Sequence, residues 1–118
     1  MGKRILVIDD EVMVLDAIKL ILEDLGYEMH VFSDPVEGEK AAVEEDYDLH
    51  LLDLRMPGKN GAELTAAIKA AKPSARVLIM TAYPTDPLAA KALDAGAFSL
   101  LKKPFEIAKI IDILGDSG

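Results

Sequence analysis

The stretch Ile5-Leu6-Val7-Ile8-Asp9-Asp10 decides the fold class, because four consecutive apolar residues run directly into two carboxylates. A strand with one solvent-exposed face alternates apolar and polar residues, whereas a strand covered on both faces is apolar throughout. This run therefore indicates a strand of a parallel sheet with helices on both faces. It also places charged side chains where that strand ends.

Four more short apolar runs follow, and each has the length of a β-strand. They cover residues 29–32, 49–52, 77–80 and 98–101. Parallel strands that alternate with helices are joined by right-handed crossovers, which place the helices on both faces of one sheet. We therefore expect a single α/β domain over residues 1–118, built as a three-layer α/β/α sandwich around a five-stranded parallel sheet.

The segments between the apolar runs carry the helical period and recognisable end signals. In the first segment, the stripe expected to face the sheet comprises Val14, Ala17, Ile18, Ile21, Leu22 and Leu25. Asp34-Pro35 and Asp86-Pro87 each place a capping residue before a proline at the first helical position. Asn60 and Glu63 form an approximate capping box for the third helix, with Gly61 between them.

Composition argues against several classes of function. The chain contains no Cys, which excludes disulfides, thiolate metal sites and Cys nucleophiles. A formal net charge of −8 and the lack of a Lys/Arg cluster argue against direct binding to nucleic acid. No apolar stretch has the length of a membrane span or a signal-peptide core, so we expect a cytoplasmic protein with no membrane partner. Dinucleotide binding is excluded because no G-x-G-x-x-G motif follows the first strand.

Side chains able to carry chemistry follow four of the five predicted strands. Asp9 and Asp10 follow the first strand, Asp53 the third, Thr81 the fourth and Lys102-Lys103-Pro104 the fifth. Any one of them alone would more often be a turn or capping residue. The carboxyl ends of parallel strands share one edge of the sheet, so three carboxylates, a hydroxyl group and an ammonium group should lie close together there. Crowded carboxylates repel unless a cation neutralises them, and Mg²⁺ beside an ammonium group suits phosphoryl transfer to a carboxylate.

At these residues the sequence resembles the receiver domains of two-component response regulators. The matching segments are residues 8–11 (IDDE), 51–61 (LLDLRMPGKNG), 80–83 (MTAY), 96–98 (GAF) and 103–105 (KPF). They occur in the family's order and at its spacing, and together they span nearly the whole chain. The resemblance implies a flavodoxin-like sheet with the strand order 2-1-3-4-5.

The resemblance also implies a role for each acidic residue. Asp53 would accept a phosphoryl group from a sensor histidine kinase or a phosphotransfer protein. Asp10, Asp53 and the backbone carbonyl of Arg55 would bind Mg²⁺, with Asp9 acting through water. The chain would then be a phosphorylation-dependent switch with self-transfer and self-dephosphorylation chemistry, and not a turnover enzyme.

The remaining implied roles concern the phosphoryl oxygens and the output. Thr81 and Lys103 would contact these oxygens, and a cis bond to Pro104 would position Lys103. Lys102 would face the other way as an ordinary solvated lysine. The family's output face, made of the fourth helix, the fifth strand and the fifth helix, would bind a downstream effector domain or protein, or a second copy in a phosphorylation-dependent homodimer.

Two alternatives belong to other classes of function. Receivers usually carry Tyr or Phe three residues before the site lysine, where this chain has Leu100. That substitution favours a phosphate-independent, receiver-like interaction module as the second interpretation. A Mg²⁺-dependent phosphatase with an aspartyl nucleophile is the third, but such enzymes usually have a second acid where this chain has Arg55.

Four further residues receive a functional and a structural interpretation. Arg55 and Tyr83 flank the expected site and are large enough to limit the access of water to an acyl phosphate, although both could equally be surface residues with no kinetic role. His30 lies in the second strand, away from the carboxylates. His50 is expected to be a half-buried packing residue of the third strand, so the two histidines do not predict a metal site.

Overall fold

Five strands alternate with five helices in the part of the chain that the computed structural model describes, residues 3–104 and 107–115. The strands are β1 (Arg4–Ile8), β2 (Glu28–Phe32), β3 (Leu49–Asp53), β4 (Val77–Thr81) and β5 (Ser99–Lys102). The helices are α1 (Val12–Asp24), α2 (Pro35–Glu44), α3 (Gly61–Ala71), α4 (Pro87–Asp94) and α5 (Ile107–Leu114). Each strand boundary lies within one residue of its predicted position. Residue 105 of the last matching segment lies outside the described residues.

The strands form one sheet in the order β2-β1-β3-β4-β5, and all neighbouring pairs are parallel. Both the three-layer sandwich and the flavodoxin-like strand order are thereby confirmed. Strand order reverses at β1, which has β2 on one side and β3 on the other. A crevice forms at the carboxyl ends of the strands at such a point. The register pairs Ile8 with Leu52, so the residues that follow β1 lie beside Asp53 at the end of β3.

The core lies on both faces of the sheet, which explains the continuous apolar runs. Alternate residues of β1 point to opposite layers: Ile5 and Val7 pack with buried residues of α1 and α5, and Leu6 and Ile8 pack with those of α2, α3 and α4. β3 and β4 are buried at every position. Full burial of one such side chain stabilises the fold by about 1.5–3 kcal/mol. The buried strands therefore hold the carboxyl edge of the sheet in a fixed position. Among the described residues, no helix is long and apolar enough to cross a bilayer.

The predicted capping signals are confirmed at α2 and α4. The Asp34 carboxylate accepts a hydrogen bond of 2.9 Å from the Val36 N–H, and Asp86 accepts one of the same length from the Leu88 N–H. Both helices have proline in the first turn. Asp86 therefore has a fixed position at the amino end of α4, next to the crevice.

The capping box of α3 is complete despite its glycine. Asn60 Oδ1 accepts from the Glu63 N–H at 2.9 Å, and Glu63 Oε1 accepts from the Asn60 N–H at 3.0 Å. A Cβ atom at Gly61 would lie 2.8 Å from the backbone oxygen of Asp53. The glycine is needed because α3 begins in close contact with the strand that ends in Asp53.

The predicted buried stripe of α1 is partly wrong. The residues of α1 that are buried against the sheet are Leu15, Ile18 and Leu22. The stripe residues that the structure exposes are Ala17, Ile21 and Leu25. Apolar residues occur around most of this helix, so its periodicity fits more than one face. Packing against β1 and α5 selects the line through Leu15, which the sequence pattern alone did not distinguish.

Candidate functional site

The five side chains named from the sequence meet at the carboxyl edge of the sheet. Asp10, Asp53, Thr81 and Lys103 line one pocket of about 460 Å³. Asp9 is fully buried and contacts the Lys103 ammonium group. Asp53 and Thr81 are the last residues of β3 and β4, and the other three follow β1 and β5 directly. The sheet therefore fixes the backbone of every member of the site.

The three aspartates form a compact cluster of carboxylates. One oxygen from each of Asp9, Asp10 and Asp53 lies within 4.8 Å of the others. Within residues 3–104 and 107–115 this is the one group of three or more acidic or imidazole side chains arranged in this way. Carboxylate oxygens are the ligands that Mg²⁺ prefers, so the donor set fits the predicted ion. Arg55, whose carbonyl is the fourth predicted ligand, lines the same pocket.

Lys103 lies among the acids as their counter-ion. Its Nζ is 2.7 Å from Asp9 Oδ2, 3.4 Å from Asp53 Oδ1 and 3.7 Å from Glu11 Oε1. Burial lowers the pKa of Lys103, but the hydrogen bond that its ammonium group donates to Asp9 and the negative charges of Asp53 and Asp9 together outweigh burial and raise the pKa. Its backbone N–H donates to the Thr81 carbonyl at 2.8 Å, and its peptide bond to Pro104 is cis, as the resemblance implied. Lys103 thus places a positive charge beside the Asp53 carboxylate.

The Asp53 carboxyl is held in an environment that disfavours its charge. Burial raises its pKa, the negative charge of Asp9 raises it further, and Lys103 opposes both, with a net result of about 7. A carboxyl with this pKa is only about half ionised at neutral pH when no metal ion is bound. Ionisation of Asp53, which a nucleophile requires, is therefore favoured by any cation that joins the cluster.

Thr81 has its hydroxyl group ready for a new acceptor. The residue is 5% exposed, and its Oγ1 accepts a hydrogen bond of 3.0 Å from the Tyr83 N–H. A hydroxyl also has one proton to donate. Thr81 can therefore donate to an oxygen that arrives in the pocket.

The rim of the pocket carries an ion pair that the sequence did not reveal. Arg55 Nε and Nη2 donate to the two carboxylate oxygens of Asp86 at 2.6 and 2.8 Å. The Arg55 guanidinium holds the pKa of Asp86 below its usual range. Asp86 was predicted only as a helix cap, and no local signal links two residues that are 31 positions apart. Tyr83 also lines the pocket, with its side chain largely in solvent.

Both histidines lie outside the acidic cluster, as predicted. His30 contacts the Tyr47 hydroxyl at 2.7 Å and the Glu28 carboxylate at 2.9 Å. The half-buried position predicted for His50 is wrong, because β3 is covered on both faces and the residue is 1% exposed. Its Nδ1 donates to the Arg76 carbonyl at 3.0 Å, and its Nε2 has no hydrogen-bond partner among the described residues. Burial lowers the pKa of His50.

Two residues of β5 complete the comparison with the sequence. Lys102 is exposed, as expected of a lysine that faces away from the site. Leu100 is half-buried and packs against the core layer that includes Ile79, its neighbour on β4. An aliphatic side chain therefore fills the place at which receivers usually have an aromatic ring.

Comparisons with known proteins agree with this geometry. The family model described as "Response regulator receiver domain" matches residues 5–115. The DNA-binding transcriptional regulator NtrC of Rhizobium meliloti is 34% identical over 114 residues, which make up 97% of this chain and 24% of that protein. The chain thus spans about a quarter of the length of this curated relative.

Two solved structures are similar over nearly the whole chain. The receiver domain of sensor histidine kinase PA1611 from Pseudomonas aeruginosa PAO1, with a magnesium ion coordinated in the active site cleft, is 28% identical with a TM-score of 0.87 and covers 97% of this chain and 95% of that one. A response regulator protein from Burkholderia pseudomallei, with a phosphorylated aspartic acid, a calcium ion and citrate, is 30% identical with a TM-score of 0.87. That likeness covers 96% of this chain and 66% of the other.

Proposed function

The chain belongs to the response regulator receiver domain family, and from this premise we propose that it is a switch controlled by phosphorylation of Asp53. The observation that carries the proposal is the Lys103 ammonium group 3.4 Å from the Asp53 carboxylate, inside a cluster of three acids. The metal-bound and phosphorylated relatives support the same assignment.

The metal that we propose for this site is Mg²⁺. Asp9, Asp10 and Asp53 offer oxygens close enough for one ion, and the Arg55 carbonyl is the proposed fourth protein ligand. When bound, the ion offsets the negative charge of the carboxylates and of the transferring phosphoryl group. Asp9 already accepts from the Glu11 N–H at 2.9 Å and from Lys103 at 2.7 Å, which favours a role through water for this acid.

The proposed reaction is transfer from a phosphohistidine of a sensor kinase or a phosphotransfer protein. An Asp53 carboxylate oxygen forms a bond to phosphorus while the phosphorus–nitrogen bond breaks, and the electron pair stays on the departing imidazole. Hydrolysis reverses the state, because a water oxygen attacks phosphorus and the Asp53 carboxylate leaves. One phosphoryl group enters and leaves per cycle, so the chain serves as acceptor and switch and not as a turnover enzyme.

Lys103 and Thr81 are proposed to bind the arriving oxygens. Lys103 need move little, because its ammonium group already contacts the carboxylate that is to be phosphorylated. The Thr81 oxygen accepts from the Tyr83 N–H, which leaves the hydroxyl proton for a phosphoryl oxygen. New hydrogen bonds of this kind bias a two-state element toward its active arrangement.

The proposed output face comprises α4, β5 and α5, and it would bind an effector domain, an effector protein or a second copy of the chain. We place the protein in the cytoplasm, where histidine kinases deliver their phosphoryl groups. Leu100 is the observation that favours the second candidate, an interaction module that needs no phosphorylation. All five acceptor-site residues are nevertheless present, which favours the switch.

Intact-mass spectrometry after incubation with acetyl phosphate tests the proposal. We expect one added phosphoryl mass that depends on Mg²⁺ and is lost in Asp53→Asn. Asp24→Asn, an exposed acid at the end of α1, is the matched control and should be phosphorylated like wild type. No added mass with acetyl phosphate or with a phosphohistidine donor would exclude the switch and favour the interaction module.

A further inference from the structure

We propose that Asp86 is a positioning residue for the chemistry at Asp53, acting through Arg55. Its bidentate salt bridge holds the guanidinium at the rim of the acceptor pocket and away from the phosphoryl group that enters. This inference rests on the proposed function, since it concerns phosphoryl transfer to Asp53.

The geometry makes Asp86 the fixed partner and Arg55 the movable one. The Asp86 side chain is 11% exposed and is also held by the Leu88 N–H at the start of α4. The Arg55 side chain is 65% exposed and leaves a loop only two residues beyond Asp53. Two parallel hydrogen bonds fix the plane of a guanidinium as well as its position. Release of the pair would therefore free Arg55 while Asp86 stays with its helix.

The charges of the pocket give this restraint a consequence. The acidic and basic side chains that line it are Asp10, Glu11, Asp53, Arg55, Asp86 and Lys103. Lys103 is engaged by buried Asp9 and by Asp53. The charge of Arg55 is neutralised by Asp86 at 2.6 Å. The described part of the pocket therefore offers no uncommitted positive charge to an anionic phosphoryl donor.

A phosphoryl group on Asp53 competes with Asp86 for Arg55. It carries up to two negative charges and three acceptor oxygens, and guanidinium binds such oxygens in the same forked geometry as a carboxylate. Asp86 tolerates the loss of its partner, because the amino end of a helix stabilises a carboxylate. The ion pair thus connects occupancy of the acceptor site with the first turn of α4, by a route that needs no aromatic residue at position 100.

Asp86→Asn is the matched perturbation. Asparagine is as good a helix cap as aspartate and can still accept from the Leu88 N–H, but it has no charge to hold Arg55. We expect Mg²⁺-dependent phosphorylation by acetyl phosphate to become about fivefold faster, from the attraction of one freed positive charge for a dianion several ångströms away. Circular dichroism and the thermal midpoint should show that the variant remains folded.

A double-mutant cycle separates positioning from simple removal of a negative charge. Loss of one negative charge would raise the rate equally in the wild-type and Arg55→Gln backgrounds. If Asp86 acts by positioning Arg55, Asp86→Asn should raise the phosphorylation rate about fivefold in the wild-type background and less than twofold in the Arg55→Gln background, because only a freed Arg55 can approach the phosphoryl group. The Arg55 Nε–Hε resonance should also change in Asp86→Asn and on phosphorylation of the wild type.

The outcomes distinguish the two proposals. Wild type that gains no phosphoryl mass from any donor would overturn the proposed function and this inference with it. The positioning role alone would be overturned if wild type is phosphorylated but Asp86→Asn changes the phosphorylation rate equally in both backgrounds, or does not change it at all.

Discussion

Asp53→Asn should stabilise the metal-free protein at alkaline pH, although it removes the proposed nucleophile. Asparagine has the shape of a protonated aspartic acid and cannot ionise. In wild type Asp53 is 8% exposed and lies close to buried Asp9, and the pKa of its carboxyl is raised to about 7. Its ionised form therefore destabilises the folded state, and the variant avoids that effect.

The sign and the size follow from proton linkage. The pKa of Asp53 is about 7 in the folded chain, against an ordinary value of 3.8, so the folded state binds more protons between these values. The contribution of Asp53 to the free energy of unfolding is therefore fully present below about pH 4 and is lost as pH rises to about 7. Three pKa units correspond to about 4 kcal/mol, and because solvent reaches one edge of the carboxyl we expect about 2–4 kcal/mol at pH 8. At pH 5 the difference should shrink to less than half, about 1–2 kcal/mol.

Urea unfolding in the presence of EDTA at pH 8 and pH 5 measures this effect. Asp24→Asn serves as the control for loss of an exposed acid and should stay within about 0.5 kcal/mol of wild type. Added Mg²⁺ should reduce the difference in free energy of unfolding between the variant and wild type at pH 8. The ion stabilises the folded wild type by binding to it, whereas the variant lacks one of the carboxylate ligands. Two results would refute the electrostatic account of the site. In the first, Asp53→Asn is less stable than wild type at pH 8; in the second, it is more stable by the same amount at pH 8 and pH 5.

Three further predictions concern other parts of the molecule. His50→Leu should reduce the loss of folding free energy that occurs as pH falls below about 6.5, because the imidazole of the unfolded chain binds a proton there and the buried one resists it. Urea unfolding in which the variant shows the same dependence of stability on pH as wild type would contradict this, and His30→Gln is the control. Replacing Arg55 and Tyr83 together by Ala should shorten the lifetime of the phosphorylated protein about two- to tenfold by admitting water, and an unchanged lifetime in intact-mass measurements would assign both to the surface alone. Leu100→Tyr should widen the set of α4 and β5 amide shifts that move on phosphorylation; equally wide changes in wild type would show that Leu100 does not weaken the switch.

The sequence was sufficient for features that depend on one strand or one helix end. The apolar run that ends at Ile8 predicted a strand covered on both faces, and the residue after it lies in the site. Asp34 and Asp86 were predicted as caps, since a cap depends on residues two or three positions away. These signals are local, and the parallel sheet gathers their ends at one edge without further information.

The features that the sequence did not predict depend on contacts between distant elements. α1 has apolar residues on several faces, and only its neighbours in space select Leu15 for the core. His50 is more deeply buried than expected because α-helical layers cover both faces of β3, which a single polar residue in an apolar run does not reveal. The Arg55–Asp86 pair joins two loops whose separation is set by the order of β3 and β4 in the sheet.

The proposed roles of the three aspartates differ because their burial differs, since their side chains are identical. Asp9 has no exposed surface, and its two oxygens are occupied by the Glu11 N–H and by Lys103, so it can act as a fixed charge but not as a nucleophile. Asp10 is exposed and can reach an ion that arrives from solvent. Asp53 combines an opening to the pocket with a raised pKa and a contact of 3.4 Å to Lys103. A phosphoryl donor can reach this proposed acceptor, and a bound cation would increase its ionised form, because burial and the charge of Asp9 disfavour that form in the metal-free site.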